Sequence, residues 1–374
     1  MEIILLAIIL AFVITYTAIP VIINVSNIKK LYDVPNARKV HASPIPSLGG
    51  LGIFAGFTLS CLLSISLADH PAFQYFFAAA LIIFFLGIKD DILVLTPMKK
   101  IIGQIIATFI VIYKGGVVIH SMHGFLGVNE VPEVVSLILT YLTILMIINS
   151  FNLIDGVDGL AAGLGIFTTL TFGVYFYTIN HIEYSALAFA MSGSLLAFLI
   201  FNRSPARIFM GDTGSLLIGL VNAILVVHFI NVAGSPVIAN PVNAVPALAI
   251  AILIIPLFDT VRVFSIRIFN RRSPFSPDRN HIHHILLDRG MSHKKVCFTL
   301  LMTNISFVVI AYFLRSYSSN IVIPVLAALA FGTFAFVYYR RNPKLKVVKR
   351  YDENEISSSK ILPISTSAKA VEQH

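Results

Sequence analysis

Charge is what this chain has least of. Only 12% of its 374 residues are Asp, Glu, Lys or Arg, against 57% hydrophobic. Soluble domains carry about 25% charged residues, so the composition argues against a water-soluble fold and for an integral membrane protein. Cysteine is nearly missing too. Cys61 and Cys297 both lie inside apolar runs, which argues against a disulfide framework or a zinc site and leaves two small hydrophobes. The apolar runs lack period-two alternation, so a membrane β-barrel is disfavoured. Met1-Glu2 leads straight into apolar sequence with no basic n-region and no cleavage motif; the segment reads as a retained span, not a removed signal peptide. No fixed-period repeat and no soluble domain is legible.

What is present is a series of apolar runs, each long enough to cross a hydrocarbon core of about 30 Å. They fall at 3–25, 48–67, 72–88, 101–119, 132–150, 160–179, 185–201, 214–231, 243–261, 296–314 and 320–339. The predicted fold is therefore all-α, a polytopic membrane protein of about 11 transmembrane helices. Residues 1–340 form a single catalytic domain. The tail 341–374 is basic, then Ser-rich, and is expected to be disordered. Of the 27 Lys and Arg residues, all but Lys114 and Arg315 fall in alternate gaps, on one side. The positive-inside rule makes that side cytoplasmic, with the N-terminus outside and the C-terminus in the cytoplasm. The net charge of +9 is then a matter of topology, and no nucleic-acid partner is expected.

Polar residues cluster on that same side. Between two apolar runs lies Asn149-Ser-Phe-Asn152-Leu-Ile-Asp155-Gly156-Val-Asp158-Gly159. Ionised groups beside a bilayer core are costly unless they face water, a partner or a ligand. Asn149, Asn152, Asp155 and Asp158 are spaced by three. Each step turns about 300° on an α-helix, which leaves the first and last half a turn apart. Convergence therefore requires the helix to break or tighten, and Gly156 and Gly159 offer the place. Asp90-Asp91, between Lys89 and Lys99-Lys100, suit a divalent cation or a proton acceptor. Asp212 stands just before Thr213-Gly214-Ser215 where a helix starts, flanked by Arg203 and Arg207; carboxylate, hydroxyls and free N–H groups suit a metal bound to phosphate, and simple helix capping is the plainer alternative. Arg38, Lys39 and His41 precede Gly49-Gly50 and suit phosphate oxygens; a positive-inside anchor is the alternative there. The loop 262–295 carries Arg279, His281, His283, His284 and Asp288. Asp259, just before it, is an intramembrane carboxylate whose role the sequence leaves open, with local pairing to Arg262 as the plain alternative. His70, His120, His123 and His181, on the other side, read as surface residues.

Carboxylates, glycines and cations on one membrane face point to phosphoryl transfer with a hard metal. The set Arg38-Lys39-Val40-His41, Gly49-Gly50, Asp90-Asp91, Asn152-Leu-Ile-Asp155-Gly-Val-Asp158-Gly-Leu160, Phe209-Met-Gly-Asp212-Thr-Gly-Ser215 and His281-Ile-His283-His284 resembles the polyprenyl-phosphate N-acetylhexosamine-1-phosphate transferases. The motifs occur in the family's order and cover about residues 1–340. They are most similar to the bacterial undecaprenyl-phosphate N-acetylglucosaminyl 1-phosphate transferase branch.

The resemblance implies transfer of an N-acetylhexosamine 1-phosphate from a UDP-N-acetylhexosamine to undecaprenyl phosphate in the bilayer, with release of UMP. It places the protein in the cytoplasmic membrane, at the first membrane step of a cell-surface polysaccharide. It implies Mg2+ (or Mn2+) as cofactor, with Asp212 as ligand joined by Asn152 or Asn149. A homodimer is compatible with it. By motif, Asp90, Asp91, Asp155, Asp158, His281, His283 and His284 form the catalytic group, and Arg38, Lys39, His41, Asn149, Asn152, Arg203, Arg207 and Arg279 contact substrates. The peptidoglycan-precursor transferase and a membrane transporter are the alternatives, although transporters place ionisable groups nearer the midplane. A CDP-alcohol phosphotransferase would need Ala-Arg after Asp-Gly, and here Val157-Asp158 follows. Truncation after Asn342 is expected to leave turnover intact; loss of activity in a folded truncation would contradict a dispensable tail.

Overall fold

The computed structural model describes residues 1–33, 45–234, 242–273 and 280–339. Arg38, Lys39, His41, Arg279 and the tail lie outside them. The structure is mostly helical: α1 (Glu2–Lys29), α2 (Gly49–Ser64), α3 (Ala72–Leu93), α4 (Pro97–Tyr113), α5 (Glu133–Ile154), α6 (Leu160–Thr178), α7 (Ile182–Asn202), α8 (Gly211–Ala233), α9 (Val245–Ile252), α10 (Ile254–Phe269), α11 (Ile282–Asp288), α12 (His293–Phe313) and α13 (Ser319–Tyr339). Two short antiparallel ribbons complete it. β1 (Tyr32–Asp33) pairs with β2 (Ile45–Pro46), and β3 (Ser121–Phe125) with β4 (Val128–Glu130). Among the described residues, seven helices are long and apolar enough to cross a membrane, or eight if the bent pair α9–α10 is one span. Each of the eleven apolar runs overlaps a helix or that pair.

Helix α8 is the centre. Buried residues make up 83% of its apolar window, against 17% for α13 at the periphery. It packs on α5, α3, α2, α6 and α9. Its N-terminus is reached by backbone-to-backbone approach: a Cβ on Gly50 of α2 would strike the Gly214 nitrogen, and one on Gly87 of α3 would strike Thr213 Cα. Only glycine permits helices to meet this closely.

The run 243–261 is not one straight span. It breaks at Leu253, and α9 and α10 meet at 85°. Pro256, in the first turn of α10, cannot donate to a continuing helix. A break inside a membrane exposes backbone groups that water cannot satisfy. The buried Asn304 of α12 supplies both partners: Oδ1 accepts from Ile255 N at 3.1 Å and Nδ2 donates to Ile252 O at 2.9 Å. The loop expected from residue 262 accordingly begins only after Phe269.

Of the four histidines expected on the surface, His120 is exposed, whereas His70, His123 and His181 are half-buried. His181 Nδ1 lies 2.8 Å from His228 Nε2, and His123 Nε2 lies 2.6 Å from Ile230 O.

Gly87→Val is expected to cost about 1–3 kcal/mol, because overpacking must push α3 from α8. Thermal unfolding in detergent measures it; an unchanged midpoint would show that the backbones can separate freely.

Candidate active site

The site is built around the first turn of α8. Strand residue Pro46 accepts from Phe209 N at 2.7 Å, and Gly49 N and Gly50 N donate to Phe209 O and Met210 O at 3.0 and 2.8 Å. This seats the turn at Gly211, whose φ is +70°, and the helix starts there. Its free N–H groups are taken by Asp91, from the last turn of α3. Asp91 Oδ1 accepts from Asp212 N at 2.7 Å; Oδ2 accepts from Thr213 N at 3.1 Å and Thr213 Oγ1 at 2.6 Å. These bonds favour the carboxylate, but burial outweighs them and, with the negative charge of Asp212, pushes Asp91 up to about 7.

Asp90 does something different. It accepts from Leu95 N and pairs with Lys100 of α4, whose ammonium also contacts Asp212. The two adjacent carboxylates thus divide: Asp91 holds the helix, and Asp90 faces the cation. Asp212 Oδ1 accepts from Asn152 Nδ2 at 2.8 Å, and that nitrogen also lies 3.0 Å from Ser215 Oγ. One turn earlier on α5, Asn149 Nδ2 donates to Gln104 Oε1 at 2.8 Å and to Leu145 O at 2.7 Å.

Helix α5 ends at Ile154, and α6 begins at Leu160. The break falls between Asp155 and Gly159, at the glycines the spacing pointed to; Gly159 has φ +78°. Gly159 N donates to Oδ1 of the buried Asn202 at 2.9 Å, while Asn202 Nδ2 donates to Ile208 O at 2.9 Å. This ties the break to the α7–α8 connection.

The two aspartates of the break sit in opposed environments. Burial pushes Asp155 up to about 8, aided by the negative charges of Asp212, Asp91 and Asp158. Burial would raise Asp158 as well, but it is outweighed by His293, Ser204 and the Ala206 N–H, which hold its carboxyl below the ordinary range. Asp158 Oδ1 lies 3.3 Å from His293 Nδ1, and Ala206 N donates to Oδ2 at 3.3 Å.

The histidine loop closes over this break. The His281 and His283 rings lie nearly parallel with centroids 5.6 Å apart, and His284 follows at 4.3 Å from His283. His283 is buried against the backbone of Gly156, where a Cβ would strike its Nε2. Burial pushes His283 down to about 3.

The structure thus brings Asp90, Asp91, Asn152 and Asp212 into direct contact, with Asn149 one turn away and Asp155 close enough to feel their charge. Asp158 turns to His293. Arg203 and Arg207 are exposed on the α7–α8 connection; Arg207 lies 4.7 Å over Phe201, and no contact among the described residues joins either arginine to the carboxylates. Lys100, Gln104, Asn202 and His293 belong to the arrangement but were not picked out as site residues, and Ser215 was noted only through its motif. Gln104 had a signal, as a lone amide inside an apolar run. Lys100 entered only as a flank of Asp90-Asp91 and as one of the charges that set the orientation.

The donors suit a hard divalent cation: they are oxygens, and their negative charge exceeds what Lys100 offsets. No group of three or more His, Cys, Asp or Glu forms a ready metal cage among the described residues. Mg2+ is commonly held by one or two carboxylates, water and substrate phosphates, and Asp212 with Asp90 fits that pattern. Asn152 now turns its amide nitrogen to Asp212, so it could serve as a ligand only after a half-turn about χ2.

Asp155 sets a pH dependence. Folded, it keeps its proton up to about pH 8, whereas the unfolded chain releases it near the ordinary value of 3.8. Its contribution to stability is present below the lower value and is lost as pH rises through that window. Asp155→Asn is expected to flatten the fall in melting temperature between about pH 4 and 8; an equally steep fall in the variant would rule Asp155 out as its source.

Comparison with known proteins places this geometry. Residues 73–230, from α3 through most of α8, match the model for glycosyl transferase family 4. The chain is 31% identical over 284 residues to a probable undecaprenyl-phosphate N-acetylglucosaminyl 1-phosphate transferase of Bacillus subtilis (strain 168), covering 76% of this chain and 77% of the relative. It is 27% identical over 337 residues to the undecaprenyl-phosphate alpha-N-acetylglucosaminyl 1-phosphate transferase of Yersinia pestis, covering 88% and 90%. It is 30% identical over 311 residues to a decaprenyl-phosphate N-acetylglucosaminephosphotransferase of Mycobacterium leprae (strain TN), covering 76% and 77%. The matched region holds both ends of the carboxylate cluster, Asp90-Asp91 and Asp212, and the likeness to the Bacillus protein spans three quarters of either chain: this protein belongs to glycosyl transferase family 4.

Proposed function

We propose that the protein transfers N-acetylglucosamine 1-phosphate from UDP-N-acetylglucosamine to undecaprenyl phosphate, releasing UMP, at the cytoplasmic face of a membrane it crosses eleven times. The observation that carries this reading is the meeting of Asp90, Asp91, Lys100, Asn152 and Asp212 at the first turn of α8. The names of the relatives supply the sugar and the lipid. The distribution of Lys and Arg supplies the side.

The lipid phosphate is the nucleophile. A phosphate monoester loses its second proton near pH 6, so it arrives largely dianionic and needs little help from a strong base. One of its oxygens attacks the phosphorus that bears the sugar; the new P–O–P bond forms as the bond to UMP breaks. Asp212, with Asp90 beside it, would hold Mg2+, which when bound neutralises charge on the phosphate oxygens. Lys100 stands between those carboxylates and is placed to bind a phosphate oxygen as the substrates enter. Asp91 keeps the first turn of α8 in place. Asp155, protonated near neutral pH, adds no further negative charge to a site that must admit phosphates. His283 and its neighbours cover the break and limit water there.

A donor panel tests the reading. With undecaprenyl phosphate and Mg2+ in detergent, UMP is expected from UDP-N-acetylglucosamine and not from UDP-N-acetylmuramoyl-pentapeptide; the reverse preference would move the protein to the peptidoglycan branch. Asp212→Asn is expected to abolish UMP release at every accessible Mg2+ concentration, and near-normal turnover would remove Asp212 from the metal.

A further inference from the structure

One buried charge has no part in the chemistry above. Asp259 lies in α10, just past the break at Leu253, and is 1% exposed. A carboxylate in such a place persists only if it is paired. Arg262, three residues on, is the partner the sequence offers, and its Nη2 does donate to Asp259 Oδ1 at 2.8 Å. The pair does not close on itself, however. Oδ1 also accepts from the backbone of Ile282 at 2.9 Å, and Oδ2 lies 2.9 Å from His281 Nδ1. Arg262 in turn donates to the carbonyl of Asn280, and its guanidinium lies 4.4 Å over Phe334 of α13. Both members of the pair are aimed at the same three residues, 280–282. A pair that merely neutralised itself would need none of those contacts.

We propose that Asp259 is a positioning residue for His281: by accepting the Nδ1 proton it fixes the tautomer and the plane of the imidazole, and leaves Nε2 as the nitrogen presented to substrate. A carboxylate behind a histidine does this generally, and the choice of ring nitrogen follows from the bond the other one makes. The backbone bond to Ile282 N fixes the start of α11 at the same time, so ring and loop are set by one group. The stacking of His283 on His281 then carries the placement to Gly156 and the break between α5 and α6. The break at Leu253 is what brings a residue of the apolar run under this loop. The role rests on the transferase reading for its kinetic consequences, though not for the placement itself.

Two measurements on the full-length protein in nanodiscs test it. The first is 15N NMR of histidine-labelled protein, with the His281 signal identified by its loss in His281→Gln. His281 is expected as the Nδ1-protonated form; an Nε2-protonated neutral ring overturns the proposal. This needs no change at Asp259 and no turnover. The second is a double-mutant cycle on UMP release. Asp259→Asn is expected to lower kcat roughly 10–100-fold with little change in KM for the UDP-sugar, and to cost less than about twofold when His281→Gln is already present. An equal loss in both backgrounds, or no loss of kcat, overturns it. Should the wild-type protein release no UMP from any UDP-sugar, the transferase reading fails while the NMR result still decides the role of Asp259.

Discussion

The capping of α8 by Asp91 is the interaction on which the rest of the site depends. Three bonds run from one carboxylate to the first two residues after Gly211. They can form only because Gly50 and Gly87 let α2 and α3 come into backbone contact with that turn. Once α8 is fixed, the direction of Asp212 is fixed with it. Asn152 and Lys100 then meet Asp212 from α5 and α4. An N-cap is ordinarily worth about 1 kcal/mol; here its larger consequence is geometric, since a misplaced first turn would break the contacts of Asp212 with Asn152 and Lys100.

A second constraint is charge. Asp90, Asp91, Asp155, Asp158 and Asp212 lie at one end of an apolar bundle, where unpaired carboxylates are costly. Each is handled differently. Asp91 takes helix N–H groups, Asp90 and Asp212 share Lys100, Asp158 faces His293, and Asp155 keeps its proton. A site so arranged offsets part of its negative charge yet stays short of positive charge, which suits the uptake of a cation together with phosphates. The same five carboxylates would be poorly suited to binding an anion alone.

Much of this was legible in the sequence, for a simple reason. In a chain with so few charges, a polar residue beside an apolar run stands out, so Asp90, Asp91, Asn152, Asp155, Asp158 and Asp212 could be picked out singly. The break after Ile154 was legible because a period of three cannot keep four side chains on one helix face. What sequence could not give was pairing. Lys100 was one of many cations on that side, and only the packing of α4 against α3 makes it the bridge between Asp90 and Asp212. Asp90 and Asp91 looked equivalent, since neighbours in a sequence carry no mark of which one faces the next helix. The break at Leu253 was hidden for another reason: apolar residues continue through it, and the one local signal, Pro256, sits at a place a helix start tolerates.

The two helix breaks solve the same problem in the same way. Buried backbone freed at a helix end must be satisfied by protein, whether in the connection from α5 to α6 or at the break within the α9–α10 span, and in both cases a buried asparagine from a neighbouring helix contributes. Asn202 accepts from Gly159 N, and Asn304 bonds both Ile252 O and Ile255 N. An amide is suited to this because it donates and accepts at once and carries no charge to desolvate. The outcome differs usefully between the two. At the first, the freed chain sets Asp155 close to the charges of Asp91 and Asp212 and turns Asp158 to His293. At the second, the 85° bend swings α10 beneath the histidine loop, so that a carboxylate lying in an apolar run reaches His281. Irregular helix ends thus bring Asp155 toward the carboxylate cluster and Asp259 to His281, while the rest of the cluster comes from the ends of regular helices.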